Sequence, residues 1–422
     1  MEQKYRQMAK RALDDLYARY WTDADGGHIL PTHCGVVVDR PRMIWETAML
    51  LIAMETYYDA TGDEETAKRI AATWRYLKTC FTYEQMAAGF GQEPNLALDD
   101  TGWDIMTYWM AWRFTGDPTA LRLVRGCTLG AYAHFKDGTL ENGCWYNDWA
   151  QYNDQWKSSY IVSLLLTALK YCRDRKGTEQ ESAELLEQTL TLCRWVERDF
   201  RRDRCQTFRC GRQDGGDYTV DVTDNLYWID YNKDRENKPE RFGPSGGTRQ
   251  NDIFELGSVS ALFANMGMAA LNVTLSEMLG DPAAMKRALE TSASIERVYN
   301  LNGAYLNDRD PHTDATMLRD YVHTILATDR ATDAQRDMLF RTADHIFENG
   351  QNSGGLYYPW WSCVLRPGEP IPERYARCKP LVENMMVNAT SVTMICGAAL
   401  LEKYGFVPGV PAGSARRSEE CE

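Results

Sequence analysis

The chain lacks the features that mark several large classes of protein. Its 12 cysteines include no C-x-x-C pair, and the closest two, Cys205 and Cys210, have no histidine at metal-ligand spacing. A structural zinc site is therefore not expected. No run of 18 apolar residues and no apolar amino-terminal stretch occurs, so we expect neither a membrane span nor a signal peptide. Unpaired thiols without an export signal indicate the cytoplasm, although a secreted protein trimmed of its signal has the same appearance.

Recognisable cofactor and nucleophile motifs are also missing. The sequence has no G-x-S-x-G, no P-loop and no G-x-G-x-x-G, which removes support for hydrolase-elbow, nucleotide and dinucleotide sites. Its six histidines are dispersed, and no acidic residue at helical spacing completes a metal triad with His28 or His33. We therefore expect no metal and no cofactor.

Positive charge is scarce, with 47 Lys and Arg against 60 Asp and Glu and a net charge of −13. This balance argues against nucleic acid and anionic membranes as partners, because both require a basic surface. Aromatic residues, in contrast, are abundant: 13 Trp and 23 Tyr exceed what a core of this size needs. Their apolar faces and polar edges suit the binding of sugar rings. An oligosaccharide or polysaccharide is the partner that these features favour, and they leave the oligomeric state open.

A short phrase recurs between apolar helical segments and predicts helical hairpins. In each copy a glycine suits the left-handed position that ends one helix, and the next aspartate suits the cap of the following helix. The three copies are Thr61-Gly62-Asp63, Thr115-Gly116-Asp117 and Leu279-Gly280-Asp281.

The spacing of these turns predicts the architecture. The first two lie 54 residues apart, and about six hairpins of that size fit in the chain. We predict an all-α fold, an (α/α)6 barrel, formed by residues 1–409 as a single catalytic domain, with residues 410–422 as a disordered tail. The stretch from Asp217 to Tyr231 is the main β-like segment. Long polar loops alternate with the short turns, so function is expected on the rim that carries those loops.

Two adjacent carboxyl groups, Asp99 and Asp100, stand where one long loop enters a helix. Helix capping explains one aspartate at this position but not two. Two crowded carboxylates repel each other, which raises the pKa of one and leaves the other ionised. An acid and a nucleophile require this difference. We therefore predict Asp99 and Asp100 as the catalytic residues of a glycosidase. The spacing of their carboxyl groups decides between retention and inversion, and the sequence does not fix it.

A second segment, residues 145–157, interleaves aromatic rings with amides and acids. Its rings suit stacking on sugars and its polar groups suit sugar hydroxyls, while Asp148 and Asp154 are alternative acids. The predicted substrate-binding residues, from this segment and elsewhere, are Trp45, Asn95, Trp103, Trp145, Tyr146, Trp149, Tyr152, Lys157, Asn251 and Trp360.

These elements together resemble glycoside hydrolase family 76, the α-1,6-mannanases. The resemblance is carried by Asp99-Asp100-x-x-Trp103, the Gly-Asp turns, Lys157 before an apolar helix, Asn265-Met266-Gly267 and the apolar helix around Asn388, over roughly residues 15 to 405. It implies an (α/α)6 barrel that hydrolyses α-mannosides of mannan or manno-oligosaccharides with retention. Asp99 would then be the nucleophile and Asp100 the general acid/base, without a metal.

The sequence departs from the family pattern at Asp104, where a second tryptophan is usual, at Ser158 and Met266, and in the insert at 203–249. Two alternatives therefore stay open. One is another sugar-active enzyme on the same barrel, such as an unsaturated glucuronyl hydrolase or a sugar epimerase. The other is a carbohydrate-binding protein without catalytic activity.

Overall fold

Twelve helical segments of the described residues form two concentric rings. The computed structural model describes residues 3–33, 36–88, 97–153, 156–174, 176–202, 205–211, 217–223, 225–228, 230–232, 253–255, 261–301, 303–305, 313–349, 351, 355–357, 361 and 384–412. The outer helices are α1 (Lys4–Tyr20), α3 (Glu64–Cys80), α6 (Pro118–Phe135), α9 (Glu179–Phe200), α11 (Pro282–Val298) and α13 (Asp333–Asn349). The inner helices are α2 (Ala48–Thr61), α5 (Leu98–Thr115), α8 (Val162–Arg173), α10 (Leu262–Leu279), α12 (Leu318–Tyr321) with a π-helical turn (Val322–Leu326), and α14 (Met385–Lys403). The predicted (α/α)6 barrel is confirmed.

The inner helices differ from the outer ones in how completely they are buried. Almost every residue of α10 and α14 is buried, whereas α3 and α9 bury one face only. A helix that is enclosed on all sides has no polar face to present to water. The chain alternates between the rings, so the inner helices point in one direction, and the first turns of the five long ones, α2, α5, α8, α10 and α14, meet at one end of the barrel.

The short turns at the other end have the predicted left-handed glycines and aspartate caps. Gly62, Gly116 and Gly280 end their inner helices with φ of +71°, +66° and +68°, a region that glycine adopts without strain. The aspartate that follows each glycine caps the next outer helix: Asp63 accepts the N–H of Thr66 at 2.9 Å, and the Asp117 and Asp281 side chains make equivalent bonds. Local sequence therefore determines these three hairpins.

The last inner helix closes the ring. Helix α14 packs against both α2 and α1, and the N–H groups of Tyr5 and Arg6 donate to the carboxylate of Glu402. By length and mean hydropathy, α14 is apolar enough to cross a membrane, although it contains no continuous run of 18 apolar residues. Because 94% of that segment is buried inside the barrel, its composition is that of a core helix.

Short helices, turns and strands lie at the end of the barrel where the long inner helices begin. They include helices α4 (Tyr83–Ala87) and α7 (Asp148–Asn153) and the 3-10 turns Ala24–Gly26, Trp45–Thr47 and Ser159–Ile161. The strands are β1 (Trp21–Thr22), β2 (His28–Ile29), β3 (Thr32–His33), β4 (Val36–Val37), β5 (Lys136–Asp137), β6 (Thr139–Cys144), β7 (Trp156–Ser158), β8 (Arg201–Arg202), β9 (Cys205–Gly211), β10 (Asp217–Thr223), β11 (Leu226–Tyr227), β12 (Asp230–Asn232), β13 (Ile253–Glu255), β14 (Asn300–Leu301) and β15 (Ala304–Tyr305).

The predicted β-like stretch from Asp217 to Tyr231 contains strands β10, β11 and β12. Strand β9 lies between β10, its antiparallel partner, and β13, which runs parallel to it. Two strands of the insert, β9 and β10, therefore form a small three-stranded sheet with β13, which follows the insert. Near the end of the chain, the N–H of Ala412 donates to Asp333 Oδ1 at 3.1 Å, so the first residues of the predicted tail contact α13. Its remaining residues, 413–422, lie outside the described part.

Candidate active site

Asp99 and Asp100 occupy the first turn of inner helix α5, at the end where the long loops gather. Both side chains are half-buried. Asp100 Oδ2 accepts the N–H of Ala97 at 3.0 Å, and its own N–H donates to Asp99 Oδ1 at 3.1 Å. One oxygen of Asp100 therefore caps the helix, as the capping interpretation predicts. Asp99 Oδ1 also accepts a first-turn N–H, that of Asp100, while its Oδ2 contacts the facing loop through the Tyr146 hydroxyl.

The two carboxyl groups hold protons more tightly than exposed aspartates do. Burial, followed by the neighbouring charge of Asp100, raises the pKa of Asp99 well above its usual range, against the bonds from the Asp100 N–H and the Tyr146 hydroxyl. Burial raises the pKa of Asp100 to about 6, although the Ala97 N–H lowers it. Two adjacent carboxyl groups of this kind can share a proton at near-neutral pH, so that one is an acid while the other is a carboxylate.

A line of main-chain pairings positions the loop opposite this pair. The N–H of Leu98 donates to the carbonyl oxygen of Tyr146 at 2.9 Å, and Ala97 pairs with Asn147. The same segment pairs again further along, Trp145 with Lys157, and strand β7 then pairs with β12. Since each segment fixes the next, the Tyr146 hydroxyl is placed 3.4 Å from Asp99 Oδ2.

Lys157 stabilises the loop that carries Tyr146. Its ammonium group donates to Asp137 Oδ2 at 2.7 Å and to the carbonyl oxygen of Asn142 at 2.6 Å. It also lies 4.6 Å from the centre of the Trp145 ring, a cation–π distance. Because Lys157 and Trp145 are both buried, they hold the loop that carries Tyr146.

The other predicted substrate-binding residues lie in different surroundings. Trp103 is 2% exposed and packs against Phe263 with ring centres 5.5 Å apart, which gives it a packing role in the free protein. Trp45 is half-buried, and its main-chain N–H donates to Asp104. Helix α7 carries two further predicted residues, Trp149 and Tyr152, whose side chains lie outside the described part. The remaining three, Asn95, Asn251 and Trp360, also lie outside the described residues.

Of the alternative acids, Asp148 is paired with His134, with Oδ1 2.6 Å from Nε2, and both side chains are about 40% exposed. Asp148 therefore lies on the protein surface, at the start of α7. Asp154 lies outside the described residues.

Two acidic residues near the pair were not predicted as site residues. Asp104, one helical turn after Asp100, is 1% exposed, and Glu46 in the 3-10 turn beside α5 is 0% exposed. Glu46 Oε1 lies 2.7 Å from His33 Nδ1. The spacing of four residues between Asp100 and Asp104 is visible in the sequence, but the approach of Glu46 depends on the packing of a distant turn. Among the described residues, no group of three or more His, Cys, Asp and Glu side chains is placed to hold a metal ion.

A separate ionic cluster fills the opposite end of the barrel. Asp59 of α2 binds Arg113 of α5, Arg319 of α12 and His323 of the π-helical turn, while Lys170 of α8 binds Asp320 at 2.6 Å. Burial alone raises the pKa of Asp59, but Arg319, His323 and Arg113 outweigh it and hold that pKa well below its usual range. Cations suit the negative ends of the inner helices. A cavity of about 330 Å³ borders this cluster.

No family model matches the sequence, and no curated protein is similar to it in sequence. Solved structures do share its fold. An inactive variant of an α-1,6-mannanase from Salegentibacter sp. HEL1_6, with two consecutive aspartates replaced by asparagine and α-1,6-mannotriose bound, superposes with a TM-score of 0.63 at 14% identity. The match covers 94% of this chain and 99% of that one.

Two further structures are similar over nearly the whole chain. A family 76 mannosidase from Bacteroides thetaiotaomicron VPI-5482 has a TM-score of 0.61 at 13% identity, with 94% of this chain and 99% of that chain covered. An unsaturated glucuronyl hydrolase specific for heparin has a TM-score of 0.55 at 13% identity, with 96% of each chain covered.

The protein is therefore an (α/α)6 toroid with a carboxyl pair at the end where its inner helices begin. Within that class, its fold is like that of glycoside hydrolase family 76, and the predicted resemblance is confirmed for the fold.

Proposed function

We propose that this protein is a retaining glycoside hydrolase that cleaves α-mannosides, with Asp99 as nucleophile and Asp100 as general acid/base. The observation that supports this most strongly is the pair itself: two consecutive, half-buried carboxyl groups on the first turn of an inner helix. In the Salegentibacter neighbour, a variant with two consecutive aspartates replaced is inactive and holds α-1,6-mannotriose. A short α-1,6-linked manno-oligosaccharide is the proposed substrate.

The proposed reaction has two displacements. In the first, a carboxylate oxygen of Asp99 bonds to the anomeric carbon while Asp100 protonates the departing glycosidic oxygen. In the second, Asp100 removes a proton from water, the resulting hydroxyl bonds to the anomeric carbon, and the ester to Asp99 breaks. Both carboxyl groups return to their starting protonation. The Tyr146 hydroxyl, 3.4 Å from Asp99, stabilises Asp99 when it is ionised.

The acidic surroundings favour an uncharged sugar over the unsaturated uronide of the competing hypothesis. One member of the pair is ionised while the other carries the shared proton, and Lys157, the lysine beside the loop that carries Tyr146, is already bound to Asp137. A uronate carboxylate bound at this position would meet like charge. Neutral mannosides do not incur that repulsion.

The test is hydrolysis of an aryl α-mannoside, α-1,6-mannobiose and an unsaturated uronide disaccharide by wild type, Asp99→Asn and Asp100→Asn. We expect the Asp99 variant to lose about 10³-fold or more on both mannosides. The Asp100 variant should lose about 10²–10⁴-fold on mannobiose, and less on an aryl mannoside whose leaving group needs no proton. A nuclear magnetic resonance spectrum of the first product distinguishes retention from inversion.

Asp148→Asn is the matched control, because it removes an aspartate whose partner is the exposed His134; it should retain wild-type activity. If wild type hydrolyses no glycoside, or both pair variants retain its rate, the proposal is wrong. Wild-type binding of manno-oligosaccharides without turnover would favour the carbohydrate-binding alternative. Turnover of the uronide alone would favour the glucuronyl hydrolase alternative.

A further inference from the structure

Asp104 is a buried acid in the second turn of α5, four residues after Asp100. Residues at this spacing lie on the same face of a helix with Cβ atoms about 5–6 Å apart. Asp104 is 1% exposed, so water does not solvate its carboxyl group. Its position places it directly below the proposed general acid/base, deeper in the barrel.

No described residue around Asp104 compensates a negative charge on its carboxyl group. One carboxyl oxygen accepts the main-chain N–H of Trp45, whereas Oδ1 has no hydrogen-bond partner in the described part of the chain. The described titratable groups around it are Asp100 and Tyr108 from its own helix and Glu46 from the adjacent 3-10 turn. All three are acidic. The imidazole of His33 is bound to Glu46.

A buried carboxylate without a counter-charge is strongly disfavoured, and such a group keeps its proton instead. Burial, then the charges of Asp100 and Glu46, raise the pKa of Asp104 well above its usual range, although the Trp45 N–H lowers it. The geometry and the electrostatics agree that the neutral acid is the favoured form. A neutral acid has a hydroxyl group to donate.

We infer that Asp104 holds a proton in the folded protein and acts as a positioning residue, whose hydroxyl group donates to Asp100 when Asp100 is ionised. Because no hydrogen bond joins the two carboxyl groups directly among the described contacts, one bridging water makes the connection. This role rests on the proposed function. Asp100 is ionised after it protonates the departing oxygen, and it is neutral again once it has taken a proton from water. Asp104 keeps its own proton throughout, so the overall reaction is unchanged.

The protonation of Asp104 is testable without any enzyme activity. A carboxyl group whose pKa is raised on folding stabilises the protein below the unfolded pKa, about 3.9, and that stabilisation is lost as pH rises through the folded pKa. The unfolding constant of wild type relative to Asp104→Asn should therefore increase with pH, by up to about tenfold per pH unit. We expect an increase of at least about tenfold between pH 5 and pH 8 in urea unfolding.

Asp117→Asn is the matched control. The pKa of Asp117 is lowered to about 2 by Lys78, Trp74 and the Thr119 N–H, against the effect of burial. Asp117 is therefore ionised in both states between pH 5 and pH 8, and its variant should differ from wild type by a constant factor. If Asp104→Asn also differs by a constant factor, Asp104 is ionised and the inference is overturned.

The positioning role is tested by the alkaline limb of kcat/KM, which reports loss of the proton that Asp99 and Asp100 share. Asparagine can still donate to Asp100, so Asp104→Asn should leave the midpoint in place. Asp104→Leu cannot donate, which should raise the midpoint by about one pH unit, a tenfold change in proton affinity. An unchanged midpoint in the leucine variant, or a lowered midpoint in the asparagine variant, overturns this role.

The two proposals fail in distinguishable ways. If wild type hydrolyses no glycoside, the proposed function fails and the positioning role fails with it. The unfolding comparison then still decides whether Asp104 is protonated.

Discussion

The hydroxyl oxygen of Tyr146 lies 3.4 Å from Asp99 Oδ2, while the carbonyl oxygen of Tyr146 accepts the N–H of Leu98 at 2.9 Å. One residue of the loop therefore contacts α5 through both its side chain and its main chain. The main-chain bond fixes the distance from which the hydroxyl approaches the carboxyl group. Such a contact often tightens when substrate is bound.

Replacing Tyr146 by phenylalanine should shift the pH dependence of kcat/KM for the proposed hydrolysis. The hydroxyl stabilises ionised Asp99 and so lowers its pKa, and its loss should raise that pKa. Because the proposed nucleophile must be ionised, the acidic limb of kcat/KM should move to higher pH, with about a tenfold loss of rate on that limb. Steady-state kinetics from pH 4 to pH 8 measure the shift.

A matched control for this variant is Tyr132→Phe, which removes a buried hydroxyl that contacts Thr189 at 3.2 Å, between α6 and α9. It should reduce stability by about 1 kcal/mol and leave the pH profile unchanged. A profile that moves equally in both variants would contradict a specific effect on Asp99.

Gly102 is required where α5 meets α8. A Cβ atom built at Gly102 would lie 1.9 Å from Ser163 Oγ and 3.0 Å from its Cβ, so Gly102→Ala should separate the two inner helices. We expect a loss of about 1–3 kcal/mol, measured by denaturant unfolding. The control is Gly126→Ala in outer helix α6, where nothing lies within 4 Å and a gain of up to about 1 kcal/mol is expected. Equal stability of the two variants would refute this contact.

Lys157→Met should loosen the loop beside the pair. It removes an ion pair whose lysine side chain is 11% exposed and the bond to the Asn142 carbonyl oxygen, with an expected loss of about 1–3 kcal/mol. KM should rise more than kcat falls, because the loop carries proposed substrate-binding residues but no proposed reacting group. Lys78→Met, which breaks a more exposed pair with Asp117, should lose less than about 1 kcal/mol. A fall in kcat at unchanged KM would contradict the supporting role.

The cluster at the far end should control stability and leave catalysis unaffected. Asp59→Asn leaves Arg113 and Arg319 without a full partner, at an expected cost of about 3–5 kcal/mol at pH 7. The pKa of Asp59 is lowered on folding, so its stabilisation is present above the unfolded pKa and declines as pH falls below about 4. Unfolding at pH 7 and pH 3 should show the difference shrinking. A difference of the same size at both pH values would contradict this electrostatic origin.

The Asp59 cluster lies far from the carboxyl pair. Fourteen residues of helix, about 20 Å, separate Asp99 from Arg113 along α5. The folded fraction of Asp59→Asn should therefore retain the kcat of wild type, measured at a temperature at which both proteins remain folded.

Local signals explain most of what the sequence predicted correctly. The hairpin turns are determined within three residues: Gly62 adopts its left-handed conformation and Asp63 caps the next helix whatever lies elsewhere. The spacing of the first two turns, compared with the length of the chain, then predicted the ring. The position of Asp99 at a helix start was likewise a local inference, since an acidic pair after a loop favours the first turn.

What could not be predicted depends on contacts between distant segments. The burial of Trp103 against Phe263 is set by the inward face of α10, and no pattern around Trp103 distinguishes a packed ring from one that faces substrate. The approach of Glu46 to Asp104 joins residues 58 positions apart. The ionic cluster around Asp59 gathers charges from several inner helices, each of which alone suggests only an ordinary helix end.

The closure of the ring by α14 makes the order of chain synthesis relevant to folding. Tyr5 meets Glu402 across nearly the whole sequence, and among the described helices α14 packs most extensively against α2. During translation the apolar surface that α2 presents to α14 stays uncovered until α14 leaves the ribosome. Contacts of such large sequence separation form slowly, so the nascent chain is most prone to aggregation before α14 has emerged.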